Sequence, residues 1–503
     1  MQTINLIIPM AGLGKRFLDD NYTTYKTLLK IDHYETVYDK IISNFDYKNI
    51  QIILILNKTI YSKYKIKFKR KNVKIISIEN HNNGPLYTLY MATTQINQLI
   101  NNDERIFITY SDINWHWNFK KVLDYLKNKE SCVFTHSGFH PHLEVNSKSD
   151  FCKIKNKNII KISQKKTFSK DYKNDFLAIG CYYLKKKDYL NSYFQQINKF
   201  NKKKEYYILS LINFLIKKKI NVTNYNINKF VHLGIPQQYE DFISWKKELL
   251  SKTNNYLSKN KPYKNNCCIM LMAGQGKRLK KINLKKFLLT YKKNKIFKHI
   301  LNTYKSNKNI IITNKDLKKY IPQHKDTNLY FIRKNKSMFE TIMDSSELLK
   351  KKDKYILTSC DCYGKFDFNS LNYSVKKSKA DLCMFGFKFS NLQKKLNNAH
   401  TQLVTNNNNV VDIKVKADYK KNLLGHAGFF WVNSGKVFNH IPNFLSSSYY
   451  KSIKREIIID DYFKFIINNN LIKATCIKLK NYVHIGSMSE YNEYQYWEKY
   501  FSK

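Results

Sequence analysis

The sequence predicts an α/β protein built as two tandem domains, each with a mostly parallel central sheet. Three observations predict it. Four segments recur in the same order at nearly constant spacing, short β-rich runs alternate with amphipathic helical stretches, and each copy opens on an apolar run that feeds a glycine turn. IPMAGLGKRF (8 to 17) returns as MLMAGQGKRL (270 to 279), and FITYSDINW (107 to 115) as ILTSCDCYG (356 to 364). AIGCYYL (178 to 184) answers to HAGFFWV (426 to 432), and FVHLGIPQQYEDFISW (230 to 245) to YVHIGSMSEYNEYQYW (482 to 497). The spacings predict domains over 1–250 and 267–503. Polar SKTNNYLSKNKPYKNN (251–266), which lacks periodicity, is the expected linker.

Within the first copy, INLIIP, IQIILIL, VKIISI, RIFITY and SCVFTH read as strands, with helices near 35 to 45, 86 to 100 and 117 to 128. Alternation of this kind implies a sheet covered on both faces, with ligands bound beyond the carboxyl ends of its strands. Glycine is scarce, yet eight of the 14 fall in four matched pairs: Gly12 with Gly274, Gly14 with Gly276, Gly180 with Gly428, and Gly234 with Gly486. Reuse of a disfavoured residue marks backbone conformations or close approaches that a side chain would block.

Composition narrows the function. The 503 residues carry 89 Lys+Arg against 38 Asp+Glu, a net charge of +51, with 43% hydrophobic side chains, enough for folded cores. Only six of the basic residues are arginine, and the lysines are spread through both halves. A dedicated nucleic-acid surface clusters its charge and favours arginine, so no such partner is expected. The positive field still concentrates anionic substrates. Nine cysteines form no CxxC pair, the longest apolar runs are strand-sized, and the first strand begins at Ile4. The expectation is a cytoplasmic protein with reduced thiols and no membrane partner.

The chemistry gathers at the matched turns. Two glycines let backbone amides approach a phosphate, and Lys15 and Arg16, or Lys277 and Arg278, set two cations beside them. The pattern lacks the Walker spacing and the third glycine of a dinucleotide fingerprint. Asp112 and Asp361 end matched apolar strands, where a carboxylate can hold Mg²⁺ against phosphate oxygens. Lys26, Lys286, Lys165 and Lys416 are plain lysines in isolation.

Taken together, these residues resemble sugar-phosphate nucleotidylyltransferases, and the resemblance covers nearly all of each half. IIPMAGLGKRF followed by YKTLL is similar to the family's G-x-G-x-R…P-K opening, repeated as MLMAGQGKRL…KKFLL. NNGPLYTLYMA and KSMFETIMDS resemble the base-reading loop and its helix, and YSDINW and SCDCYG the metal-binding strand end. ISQKKTFS with AIGCYYL resembles the E-K…G-x-Y-x-F stretch, and KEYYILSLINFLI with HLGIPQQYEDF the closing segments. The resemblance implies two Rossmann-like nucleotide-diphospho-sugar transferase domains. It implies that Ala11, Gly12, Gly14, Lys15 and Gly84, with Ala273, Gly274, Gly276, Lys277 and Glu340, bind the nucleotide. Arg16, Lys26, Arg278 and Lys286 would be catalytic, Lys165 and Lys416 would grip the acceptor phosphate, and Asp112 and Asp361 would bind Mg²⁺.

The expected reaction transfers NMP from an NTP to a sugar 1-phosphate or related phosphoester and releases pyrophosphate, for cell-surface polysaccharide precursors. Two alternatives stand beside it: a glycosyltransferase on the same fold, and a non-catalytic basic protein that binds anions or nucleic acid. Departures from the family pattern are Tyr25 and Lys285 for proline, Gln164 for glutamate, Ser337 for glycine, His232 and His484 for a second acidic ligand, and Ser487-Met488 for Thr-Pro.

Overall fold

The computed structural model describes residues 3–64, 72–146, 148–196, 204–250, 267–274, 285–304, 306, 308–321, 326–333, 337–396 and 399–502. The expected linker, 251–266, lies outside them, as do Gly276, Lys277 and Arg278. Contacts divide the chain into two units, Met1–Ile243 and Ser244–Lys503.

The strands of unit 1 are β1 (Ile4–Pro9), β2 (Ile50–Asn57), β3 (Val73–Ile78), β4 (Arg105–Thr109), β5 (Ile113–His116), β6 (Ser131–His136), β7 (Phe151–Lys155), β8 (Asn158–Ser163), β9 (Phe176–Leu184), β10 (Val222–Asn226) and β11 (Lys229–His232). Nine form one sheet in the order β3-β2-β1-β4-β9-β6-β10-β8-β7, while β11 pairs with β5. In unit 2 the strands are β12 (Cys267–Leu271), β13 (Thr290–Tyr291), β14 (Asn294–Lys295), β15 (Lys308–Thr313), β16 (Thr327–Phe331), β17 (Tyr355–Ser359), β18 (Cys362–Lys365), β19 (Leu382–Phe387), β20 (Gln402–Asn406), β21 (Asn409–Lys414), β22 (Leu424–Val432), β23 (Ala474–Lys478) and β24 (Asn481–His484). Their sheet runs β16-β15-β12-β17-β22-β19-β23-β21-β20, and β18 pairs with β24. Strand for strand the two orders coincide, as a tandem duplication would leave them.

The five strands and three helical regions read from the first copy are all present, but the sheets are mixed rather than mostly parallel. β3, β2, β1 and β4 run parallel, as do β6 and β10, whereas β9 runs antiparallel to both β4 and β6, and β7 and β8 form a hairpin. Burial explains the misreading. Most of FLAIGCYYL is buried on both faces, and a strand covered on both faces gives the same continuous apolar run whichever way it points. In β12 alternate residues serve opposite faces: Cys268 and Met270 join one core cluster, Ile269 and Leu271 the other.

Parallel pairing of β1 with β4 (Ile7 opposite Ile108) brings both carboxyl ends to one edge, so the turn after β1 and Asp112 after β4 emerge together. On the other side of β4 stands β9, whose Gly180 has φ +90° and accepts at its carbonyl from Tyr110 N at 2.9 Å. A Cβ there would lie 2.5 Å from the Tyr110 ring, so backbone angle and packing both demand glycine.

Unit 2 contains a buried acid early in its sequence. Glu248, in the helix Pro236–Leu250, accepts from Tyr291 at 2.8 Å and Tyr363 at 2.6 Å, and pairs with Lys292 (2.7 Å) and Lys365 (3.3 Å). Burial pushes this carboxyl up, but the two ammonium groups outweigh it and bring it down to about 2. Replacing Glu248 by Gln leaves two half-buried lysines facing a neutral amide. We expect Glu248→Gln to cost unit 2 about 3 kcal/mol at pH 7. Because the native value is depressed from 4.5, the wild-type advantage should be intact above that pH and disappear as pH falls towards 2. Urea denaturation of both chains across this range measures it.

Candidate active site

In unit 1 the site begins where β1 leaves the sheet. Met10 N still donates to Ile55 O at 2.8 Å, and the buried Ala11 carbonyl accepts from the Asn57 side chain at the end of β2. Unit 2 repeats both contacts, Met272 N to Ile312 O at 2.8 Å and Asn314 Nδ2 to Ala273 O at 3.4 Å. Gly14 then turns left-handed (φ +69°) into a helix of only five residues, Lys15–Asp19. So short a helix adds little dipole; the positive character of the turn comes from its amides and the exposed Lys15 and Arg16.

Gly12 and Gly274 are unlike the other matched glycines. Neither has positive φ, and a Cβ on either would meet no atom of the described residues within 4 Å. Nothing among the described residues requires glycine at either place, which leaves open space beside Gly12 for an approaching ligand; the rest of the unit 2 turn, 275–284, lies outside those residues.

Tyr25 stands where the resemblance places proline. Its backbone (φ −60°, ψ 137°) is one that proline adopts, and its buried hydroxyl donates to both Met10 O (2.8 Å) and Gly12 O (2.9 Å). A phenol bracing the turn from below substitutes for the stiffness of a ring. Lys285 keeps a similar backbone, φ −86° and ψ 133°.

The next residue carries the central contact. Lys26 Nζ lies 2.7 Å from Asp112 Oδ2, and Lys286 Nζ lies 2.9 Å from Asp361 Oδ2. Burial pushes the Asp112 carboxyl up, yet Lys26, helped by His232 and Arg16, holds it below its ordinary value. Asp361 is held down in the same way by Lys286 and His484. Strand β11 is tied to this point, since Leu233 N donates to Asp112 O at 2.7 Å; in unit 2 Ile485 N donates to Asp361 O at 3.0 Å. Gly234 follows because a Cβ there would sit 3.0 Å from Asp112 Oδ2, and Gly486 keeps the same space clear beside Asp361.

The lysines expected at the acceptor end share an unusual backbone. Lys165 and Lys416 both have left-handed φ (59° and 43°), and their amides face Asp150 Oδ1 (3.1 Å) and Thr401 Oγ1 (3.5 Å). Lys165 Nζ lies 5.2 Å from the centre of the Tyr207 ring. Gly84 (φ +85°) begins the helix Pro85–Met91, and the Tyr206 carbonyl would lie 2.7 Å from a Cβ on it. At the equivalent place Ser337 caps Met338–Asp344: its hydroxyl accepts from Glu340 N (3.1 Å) and Glu340 accepts from Ser337 N (3.4 Å). Glu340 is thus engaged in a capping box.

In unit 2 the expected Ala273, Gly274, Lys286, Asp361 and Lys416 line one cavity of about 370 Å³ together with Ser337, His426, Asp460 and His484; Glu340 is not on its wall, and Gly276, Lys277 and Arg278 lie outside the described residues. Sequence reasoning missed His426 and Asp460, whose Nδ1 and Oδ1 lie 2.8 Å apart. It also missed the neighbours of the two matched histidines. In unit 1 the ring nitrogens of His140, His142 and His232 lie within 4.8 Å of one another, and burial holds His232 down to about 4. In unit 2 Glu490 joins His400 and His484, with His484 Nδ1 2.7 Å from Glu490 Oε1, a pairing strong enough to outweigh burial and raise the histidine. HPH at 140–142 was visible in the sequence, but no regular spacing tied it to His232.

No family model and no curated protein matches the chain. Similar solved structures include the nucleoside-diphosphate-sugar pyrophosphorylase of Vibrio cholerae RC9, at 19% identity over 47% of this chain and 99% of that one, TM-score 0.39. The inositol-1-phosphate CTP transferase of T. maritima is 12% identical over 49% and 98%, TM-score 0.37. The UTP-bound UGPase of Acinetobacter baumannii is 12% identical over 50% and 95%, TM-score 0.38.

The brace under the turn is open to test. Tyr25→Phe removes both phenol hydrogen bonds while keeping the ring. It should lower the stability of the full chain by about 1–2 kcal/mol in urea denaturation.

Proposed function

We propose that the chain is a Mg²⁺-dependent nucleotidyltransferase of duplicated origin. It would transfer NMP from an NTP to a sugar 1-phosphate or related phosphoester and release pyrophosphate, with unit 1 as the principal catalyst. The observation that carries this reading is the pairing, in unit 1, of a turn open at Gly12 with a lysine held on a strand-end aspartate, and in unit 2 the same lysine and aspartate on the cavity that Gly274 lines. A surface built only for packing has no use for either glycine.

In unit 1 the triphosphate would lie over Gly12 and Gly14, its charge met by Lys15 and Arg16. Lys26 stands at 2.7 Å from Asp112, where it can turn from the carboxylate to the reacting phosphates. Lys165 would hold the acceptor phosphate, one oxygen of which attacks the α-phosphorus as the α–β bridging bond breaks and pyrophosphate departs. Positioning and cationic stabilisation are what such a transfer needs, and no covalent nucleophile enters.

The donor set fits a hard divalent ion at Asp112: one carboxylate, with phosphate oxygens completing the shell. Bound there, Mg²⁺ would neutralise charge across the phosphate oxygens. His232, a nitrogen donor, is a poor ligand for it. Asp361 is more heavily engaged, with Lys286 on one oxygen and Ser359 Oγ 2.9 Å from the other, which favours unit 1 as the catalyst. We place the activity in the supply of activated precursors for cell-surface polysaccharide; none of the described helices is long and apolar enough to cross a membrane. A glycosyltransferase reading would ask Asn114 to complete a D-x-D motif, but Asn114 is buried in β5 opposite Val231.

Pyrophosphate release across a panel of nucleoside triphosphates and sugar phosphates tests the proposal. Asp112→Asn should reduce the rate at least about a hundredfold, a loss of about 2.7 kcal/mol of transition-state stabilisation, while Asp361→Asn leaves most of it. Absence of release with every pair would overturn the reading.

A further inference from the structure

The two units differ at the acceptor end in a way that turnover by unit 1 alone does not account for. β9 and β22 align through Gly180 and Gly428, so Ala178 corresponds to His426. The helices Ile208–Lys217 and Ile459–Asn468 align from their first residues, so Leu209 corresponds to Asp460. β7 and β20 align likewise, and Asp150 corresponds to Thr401. Backbone contacts support this register: Ala178 N donates to Asp150 O at 2.9 Å, and His426 N to Thr401 O at 2.8 Å. The acid on this wall has therefore moved from position 150 in unit 1 to position 460 in unit 2, where a histidine has appeared in front of it.

That histidine is arranged around one atom. Asp460 Oδ1 lies 2.8 Å from His426 Nδ1, and Asp460 Oδ2 accepts from Thr401 Oγ1 at 2.7 Å, so the carboxylate is fixed from two sides. Burial pushes the Asp460 carboxyl up, but His426 and the Thr401 hydrogen bond hold it below its ordinary value. With a carboxylate oxygen 2.8 Å from Nδ1, the neutral ring takes the tautomer that carries its proton there and presents the Nε2 lone pair as an acceptor. His426 is 5% exposed, lines the cavity that also holds Lys416, Lys286 and Asp361, and its Nε2 is buried with no hydrogen-bond partner among the described residues. Leaving a buried polar atom unmatched is costly unless a ligand satisfies it. Lys416 lies close enough to Asp460 to act on its ionisation, which puts a phosphate grip and a hydrogen-bond acceptor on one wall.

We propose that unit 2 binds a phosphoester carrying a hydroxyl close to its phosphate, with that hydroxyl donating to His426 Nε2, and that unit 1, with Ala178 and Leu209 at those positions, takes a different acceptor. The proposal rests on the acceptor-binding part of the nucleotidyltransferase reading. It does not require that unit 2 turn over. His426 acts here as a residue that selects the ligand, and Asp460 as the one that sets its proton.

Calorimetric titration of the full chain tests it, with Mg²⁺ and the α,β-methylene analogues of the four ribonucleoside triphosphates present to prevent turnover. The probes are glucose 1-phosphate and glycerol 3-phosphate, which carry hydroxyls, and methyl phosphate, which carries none. We expect at least one hydroxylated probe to bind the wild type, and His426→Ala to weaken it ten- to a hundredfold while methyl phosphate changes less than twofold. Asp460→Asn should act in the same direction, and His426→Gln, whose amide oxygen can accept in place of Nε2, should restore most of the affinity. If His426→Ala does not fold, these two variants carry the test. Equal losses for hydroxylated and hydroxyl-free probes, no effect of any of the three substitutions, or no binding of a hydroxylated probe to the wild type would overturn the proposal. Hydroxyl-selective binding without pyrophosphate release would leave it standing and sink the transfer reading; release that ignores His426 would do the reverse.

Discussion

The arrangement depends on a lysine ammonium resting against an aspartate at the end of a central strand, once in each unit. For that contact to form, β1 and β4 must lie side by side and parallel, so that the turn after one faces the residue after the other. The contact also fixes the electrostatics. A half-buried carboxylate would otherwise drift towards its neutral form; the neighbouring cation keeps it ionised. The price in geometry is visible in Gly234 and Gly486, which leave room for the carboxylates.

Much of this was legible in the residues. Apolar runs gave five strands of unit 1, and the internal repeat pointed to two similar α/β units. What stayed hidden was strand direction: β9 is covered on both faces, and burial on both faces carries no polarity. The turns and the strand-end aspartates stood out because their segments, with rare glycines and arginines, repeat; Lys26 and Lys286 were placed by resemblance. Lys165 and Lys416 could be placed by resemblance only, since their left-handed backbones leave no mark in a lysine-rich chain. The His426 and Asp460 pair was invisible because it has no counterpart in the first copy, and comparison of the copies sees only what they share.

The matched glycines fall into physical classes. Gly180 is demanded by its backbone angle and by the Tyr110 ring, and Gly14 by its turn into a helix. Gly234 and Gly486 are demanded by a neighbouring carboxylate, whereas Gly12 and Gly274 are demanded by nothing among the described residues. Sorting them this way separates residues kept for folding from residues that leave space for a partner molecule. It also explains how Tyr25 can replace a proline: the turn needs support from beneath, and hydrogen bonds supply it as well as a ring does.

The buried acid of unit 2 has a practical consequence for dissecting the chain. Glu248 is the shared acceptor for Tyr291, Tyr363, Lys292 and Lys365, yet it precedes β12 in sequence. A fragment started at Cys267 would expose two phenols and two ammonium groups around an empty socket. A truncation that begins at or before Ser244 carries its own counter-charge and is the better choice for expressing the C-terminal half alone.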